Sequence, residues 1–175
     1  MHPIEVETAL ETMKIIVDTR EHPGKRFNSR MKQAGLPYVR EKLEFGDYSA
    51  RCEMNGVTIS IAEAVAIERK MNGNELAQCF THERDRFRAE FERAKETDAR
   101  IYLLVENENM EKLYKGAYGD SEQYRSKMNA KSFMGSFYAF IAEYGLIPVF
   151  CKEETSGKVI RDILYYEMRE RLKNG

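Results

Sequence analysis

The chain has 175 residues, 42% of them hydrophobic and 33% charged, a balance that fits one folded domain and excludes intrinsic disorder. Its net charge is −1, so no overall excess advertises a polyanionic partner. No apolar run approaches the ~20 residues of a membrane span, and residues 1–13 lack the basic and apolar regions of a secretory signal, so a cytoplasmic protein is expected.

Residues 1–13 carry Glu5, Glu7 and Glu11 and no Lys or Arg; they read as an acidic, mobile lead-in to a single domain over 14–175. Lys14–Asp18 (KIIVD) is a β-branched run ending in an acid, which predicts a buried strand. Residues 20–42 gather Arg20, Lys25, Arg26, Arg30, Lys32, Arg40 and Lys42 against two acids. Such a stretch suits a phosphate backbone or plain solvation. Within it, Phe27 to Ala34 can form a short helix stopped by Gly35 and Pro37. Residues 41–53 and 57–70 read as two strands joined at Asn55-Gly56, a strong hairpin signal.

A helix is predicted from about Glu75 to Asp98, with Leu76, Phe80, Phe87, Phe91 and Ala94 at helical spacing. Asn72 is its expected N-cap, and Glu75 three residues on completes a capping-box pattern. Ile101–Glu106 (IYLLVE) is another strand ending in an acid, and 107–121 reads as loop with a helical turn. A helix over Ala130–Tyr144 with Gly145 as C-cap, a strand over Leu146–Cys151 and a helix from about Gly157 to Leu172 complete the chain. Strands alternating with helices around an early hairpin predict an α/β fold with a central mixed sheet flanked by helices.

The last two helices are apolar over more of their circumference than one sheet-facing stripe requires, which calls for deep burial or a second chain. Tyr114, Tyr118 and Tyr124 interleave with Lys112, Lys115, Arg125, Lys127 and Lys131, a mixture able to pack on its own domain or to hold unpaired nucleotides. Cys52, Cys79 and Cys151 form no CxxC pair, and His2, His22 and His82 offer no zinc spacing. Reduced structural thiols are expected.

The chemistry concentrates in Gly46-Asp47-Tyr48 and Ile67-Glu68-Arg69-Lys70. With the hairpin turn at Asn55-Gly56, Asp47 shares a face with Ala64, Ala66, Glu68 and Lys70. Continuous pairing, however, sets Glu68 opposite Leu43, roughly 13 Å along the strand from Asp47. Convergence requires an offset, with bulges expected near Gly46 and Glu63. Two carboxylates and an ammonium on one face suit metal-assisted phosphodiester hydrolysis. Mg²⁺ prefers carboxylate oxygens and keeps several waters, and a lysine can position the attacking water or offset developing charge. The plain alternative is a surface strand with a cross-strand ion pair.

VDTRE (Val17–Glu21), LEFGDYSAR (Leu43–Arg51) and IERK (Ile67–Lys70) occur in that order. Together they resemble the nuclease domain of the XPF/Hef family of structure-specific DNA endonucleases, whose signature is G-D, a gap, E-R-K, three residues and D. The resemblance continues through Arg86-Phe87 and the strand YLLVEN and covers most of the chain. It implies a restriction-endonuclease-like fold, Mg²⁺ or Mn²⁺ as cofactor, and branched or forked DNA as substrate. By motif position, Asp47 and Glu68 would ligate metal, joined by Asp18, which with Glu21 and Arg20 would line the same pocket. Lys70 would serve the attacking water, and Arg69 would support the site or contact phosphate. DNA would meet Arg20, Lys25, Arg26 and either Arg84 or Arg86.

Two departures stand out. Asn74 occupies the position of the final acid, bringing an amide but no charge. The chain also ends at Gly175, without the helix-hairpin-helix pair or helicase module of many family members; substrate choice is expected from the nuclease domain, a partner chain or another polypeptide. Because the family pairs through its C-terminal helices, a homodimer is expected, with a heterodimer as the alternative. The competing reading from a different class is an inert DNA-binding or dimerisation partner, with Asn74 its one supporting feature.

Overall fold

The computed structural model describes residues 3–118 and 126–174. Tyr124 and Arg125, considered above for nucleotide contact, lie outside the described residues. In chain order the strands are β1 (Lys14–Asp18), β2 (Tyr38–Glu41), β3 (Tyr48–Met54), β4 (Val57–Ser60), β5 (Val65–Lys70), β6 (Arg100–Glu106) and β7 (Ile147–Cys151). The helices are α1 (Pro3–Glu11), α2 (Lys25–Ala34), α3 (Gly73–Phe80), α4 (Arg84–Glu96), α5 (Met110–Tyr114), α6 (Ala130–Tyr144) and α7 (Ser156–Asn174). Among the described residues the strands form one mixed sheet in the order β2-β1-β3-β5-β6-β7, with β4 paired to β3. The expected α/β sheet flanked by helices is therefore what the chain builds.

Strand alternation sorts the core into two layers. Ile15, Val17, Tyr48, Ala50, Ile67 and Leu104 point to one side, where α1, α2 and α7 cover them. Ala66, Leu103 and Val105 point to the other, under α3, α4, α5 and α6 and a cluster of phenylalanines. Helices α2 and α7 approach closely because Gly157 has no side chain: a Cβ there would lie 2.0 Å from the Arg30 carbonyl oxygen. Gln33 Oε1 accepts the Gly157 N–H at 3.1 Å and locks the contact.

Several expectations are corrected. Residues 3–11 form a helix, α1, whose Val6, Ala9 and Leu10 are buried beneath the sheet. The long second half of the hairpin is two strands, broken at residues 61–64 by a helical turn in which Val65 N–H donates to Ile61 O at 2.8 Å. Residues 42–47 are loop rather than strand, and Tyr38–Glu41 instead forms a short edge strand parallel to β1. The helix expected over 75–98 is two helices, α3 and α4, parted at Thr81, whose hydroxyl bonds back to Ala77 O and competes with the backbone ladder. The loop after β6, by contrast, holds its expected helical turn as the short α5.

Much of the apolar surface of α7 packs on α1, α2 and β3, with Ile160, Leu164, Met168 and Leu172 all buried, while Tyr166 stays exposed. Helix α6 likewise leaves Tyr138 45% exposed on its outer face. Tyr118 is fully buried and stacks on Phe133 at 4.5 Å, so it packs on its own domain. Cys52, Cys79 and Cys151 are free thiols, and among the described residues no helix is long and apolar enough to cross a membrane.

Candidate active site

The Asn55-Gly56 turn sits with both residues at positive φ (52° and 77°), as a two-residue hairpin requires. From it, β3 pairs with β4 through Cys52 and Ile59, then with β5 through Tyr48 and Ile67. Paired residue numbers sum to 111 in the first stretch and to 115 in the second. The helical turn at 61–64 thus absorbs four residues. An even number preserves which face each side chain takes, and four is the offset that carries Glu68 from Leu43 to Asp47.

Gly46 makes the approach possible. It has φ +73°, and a Cβ there would lie 2.7 Å from the Ala66 Cβ. Asp47 N–H donates to Ile67 O at 2.8 Å, and Asp47 Oδ2 accepts the Arg69 N–H at 2.8 Å. On the same face, Lys70 Nζ donates to Glu68 Oε1 at 2.6 Å and lies 5.1 Å from the Phe87 ring centroid. The expected trio of Asp47, Glu68 and Lys70 converges.

Burial raises the Asp47 carboxyl above the usual carboxylate range, and neighbouring Glu68 pushes the same way. Burial raises Glu68 as well, against the opposing pull of Lys70. For Lys70, burial alone would favour the neutral amine, but the neighbouring Glu68, Cys79, Asp47 and Glu75 together outweigh it and keep the ammonium charged. Two opposed acids sharing one ammonium are under-neutralised, and a divalent cation would relieve them.

The site opens into a cavity of about 600 Å³. Asp47, Glu68, Arg69 and Lys70 line it together with Glu21, Arg20, Lys25, Arg26 and Arg86. Asp18 is not brought in. Its carboxylate is spent on Arg20 N–H (2.8 Å), Arg20 Nε (2.6 Å) and Leu43 N–H (2.7 Å), so it orders the two loops behind the cavity. Burial would raise its pKa, but those hydrogen bonds outweigh burial and hold it low. Arg84 also stays out, reaching Ser136 Oγ at 3.3 Å and stacking over Phe140 at 5.3 Å. Of the two candidate arginines, Arg86 faces the cavity.

Asn74 lies at the first turn of α3, where its Oδ1 accepts the Ser126 N–H at 2.8 Å and it lines a second cavity of about 310 Å³. It does not join Asp47 and Glu68. Asn72 caps α3 as expected, its side chain accepting from Glu75 N–H at 3.0 Å, while Glu75 reaches back to Met71 N–H at 2.6 Å.

The sequence reading missed Glu90, which lines the cavity and accepts the Gly46 N–H at 2.6 Å. Its position three after Phe87 on the face of α4 that meets the sheet was the available signal. It also missed an ionic network that runs from the cavity wall, at Glu21, Arg30 and Arg69, to the buried Glu106. There Glu106 holds Arg30 Nε at 3.3 Å and Arg69 Nη1 at 3.2 Å, and Arg30 Nη1 donates to Tyr48 Oη at 2.9 Å. Glu21 approaches both guanidinium groups, at 3.4 and 3.5 Å.

The donor set fits a hard divalent ion. Asp47 Oδ1 and Glu68 Oε2 take no hydrogen bond among the described residues, whereas their other oxygens do. Among the described residues no group of three or more His, Cys, Asp or Glu forms a metal cage. An ion held here would complete its shell largely with water, as Mg²⁺ prefers.

Comparison with known proteins agrees with this architecture. A family model described as the ERCC4 domain matches residues 17–161. The fold is similar to XPF from Aeropyrum pernix, with a TM-score of 0.61 at 18% identity over 90% of this chain and 68% of that one. It is equally similar to the same archaeal protein in complex with DNA, with a TM-score of 0.61 at 17% identity over 90% and 66% of the two chains. No curated protein matches.

Proposed function

This chain belongs to the ERCC4 domain family, and from that premise we propose that it is a Mg²⁺- or Mn²⁺-dependent endonuclease that hydrolyses DNA at or near branches. The observation that carries the proposal is the meeting of Asp47, at the entry to β3, with Glu68 on β5 and Lys70 beside them, at the floor of a cavity edged by bases.

Asp47 Oδ1 and Glu68 Oε2 are the oxygens we assign to the metal. When bound, the ion would lower the pKa of a coordinated water and neutralise charge on the scissile phosphate. A water oxygen attacks phosphorus, one ester P–O bond breaks, and the products are a phosphate monoester and a sugar hydroxyl. Lys70, held by Glu68 and Phe87, orients that water or offsets charge in the transition state. Arg20, Lys25, Arg26 and Arg86 follow the phosphate backbone, and the N-terminus of α2, which has no side-chain cap, adds oriented N–H groups at the same rim. Arg69 and Glu21 line the cavity beside the acids and are tied to the buried Glu106 behind it.

The substrate is branched or forked DNA, as family membership and the DNA complex of the archaeal protein favour. We further assign pairing of two chains to the outer face of α6, where exposed Tyr138 lies beside Gly135, Ala139 and Ala142, next to the edge strand β7. Sedimentation equilibrium of the chain and of Ala139→Arg tests this, with a dimer expected only for the parent.

The cleavage reading is tested with purified chain, Mg²⁺ or Mn²⁺, and forked, flapped and four-way DNA. Cutting is expected, with Glu68→Ala slower by at least ~10²-fold. Intact substrates, or a Glu68→Ala chain that cuts as well as the parent, would favour the inert DNA-binding partner instead.

A further inference from the structure

Arg69 interrupts the face that Glu68 and Lys70 share. Adjacent residues of a strand point to opposite sides, so the Arg69 side chain leaves the Glu68 and Lys70 face and reaches round the cavity wall, while its backbone N–H stays on Asp47 Oδ2 at 2.8 Å. Its guanidinium meets Glu106 Oε2 at 3.2 Å and Glu21 Oε1 at 3.5 Å. Glu106 is fully buried at the end of β6, and its other oxygen takes Arg30 Nε at 3.3 Å. Arg30 is 2% exposed and is itself fixed by Tyr48, the residue that follows Asp47 on β3.

The chain of contacts therefore runs from Glu106 through the Arg69 side chain to the Arg69 N–H and the Asp47 carboxylate. We propose that Glu106 is a positioning residue, which fixes Asp47 Oδ2 through Arg69 and so leaves Oδ1 as the oxygen presented to a divalent ion. This deepens the metal-dependent reading and rests on it. Glu106 reaches neither the cavity nor the substrate; it is absent from the residues lining that cavity. Its two oxygens are shared between two arginines, so losing its charge strands both guanidinium groups in a buried setting with Glu21 as their remaining acid.

The test is Mn²⁺ affinity measured by electron paramagnetic resonance on the parent, Glu106→Gln and Glu106→Asp, with circular dichroism to establish folding. Glu106→Gln is expected to weaken Mn²⁺ binding by about tenfold, in the range found when a supporting partner of a metal ligand is removed. Glu106→Asp, which keeps the charge on a shorter arm, falls between it and the parent. On forked DNA, kcat drops while KM holds, because the residue touches no phosphate. Parent-like Mn²⁺ affinity in the folded Gln variant overturns the proposal. Should that variant not fold, the Asp variant decides by the same criterion. A parent chain that binds no Mn²⁺ overturns the metal-dependent reading together with this one, whereas a binding parent with unaffected variants overturns this one alone.

Discussion

Asp47, the residue just before β3, and Glu68 on β5 stand opposite each other because a helical turn at residues 61–64 removes four residues from the strand path. An odd insertion would have turned Glu68 and Lys70 to the back of the sheet. The arrangement has consequences that can be measured one at a time.

Gly46 is required by its backbone and its neighbour alike. Its φ is +73° and a Cβ would meet Ala66 Cβ at 2.7 Å. Gly46→Ala is expected to destabilise the fold by about 2 kcal/mol and to disturb Asp47, the next residue. Chemical denaturation reads the first effect as a lowered midpoint with unchanged slope. A midpoint equal to the parent's would contradict the close approach of β3 and β5.

The two arginines of α4 separate by role. Arg86→Ala is expected to weaken binding of forked DNA, to reduce the salt dependence of the affinity by about one phosphate contact, and to leave Tm unchanged. Arg84→Ala loses its contacts to Ser136 and Phe140 and is expected to cost about 1 kcal/mol in stability with little change in binding. Fluorescence anisotropy across a salt series, beside thermal melts, distinguishes them. Reversed effects would place the DNA path elsewhere.

Carboxyl groups with raised pKa values in the native state hold protons that the unfolded chain has released. Metal-free stability should therefore fall as pH climbs from the ordinary carboxylate range through neutrality. Asp47→Asn removes one of the two opposed charges, so in EDTA at mildly alkaline pH its Tm is expected a few degrees above the parent's. Mn²⁺ should reverse the order, because only the parent retains the full ligand set. Thermal melts with and without Mn²⁺ check both halves, and a less stable Asp47→Asn chain in EDTA would contradict the burial of two opposed acids.

Asn74 is held by Ser126 outside the main cavity. Asn74→Asp keeps the accepting oxygen and places a negative charge in the first turn of α3, where the helix dipole favours it. Cleavage of forked DNA is expected to stay within about threefold of the parent, a difference below 1 kcal/mol. A gain of a hundredfold or more would mean that this position reaches the metal.

Much of this was legible from residues close in sequence. The Asn55-Gly56 turn, the Asn72 cap and the short apolar runs of β1 and β6 each follow from local spacing, and the ordered G-D and E-R-K motifs marked Asp47, Glu68 and Lys70. Helix α1 was legible too, since Val6, Ala9, Leu10 and Met13 fall at helical spacing on one apolar face; the acids on its other side drew attention instead. The turn at 61–64 was less accessible. Glu63 flagged a disturbance, but the number of residues looped out depends on how β5 seats between β3 and β6. The break at Thr81 lacks Gly or Pro, and the ionic network joins Arg30 to Glu106 across 76 positions. Such pairings are set by tertiary packing, for which a single sequence carries no local signal.

The most direct measurement is anomalous diffraction from crystals soaked in Mn²⁺. The account predicts a peak about 2.1 Å from a carboxylate oxygen of Asp47 and from one of Glu68, with Asp18 and Asn74 outside its coordination sphere. A crystal that takes up no Mn²⁺ between these two residues, or takes it up elsewhere in the cavity, would contradict it.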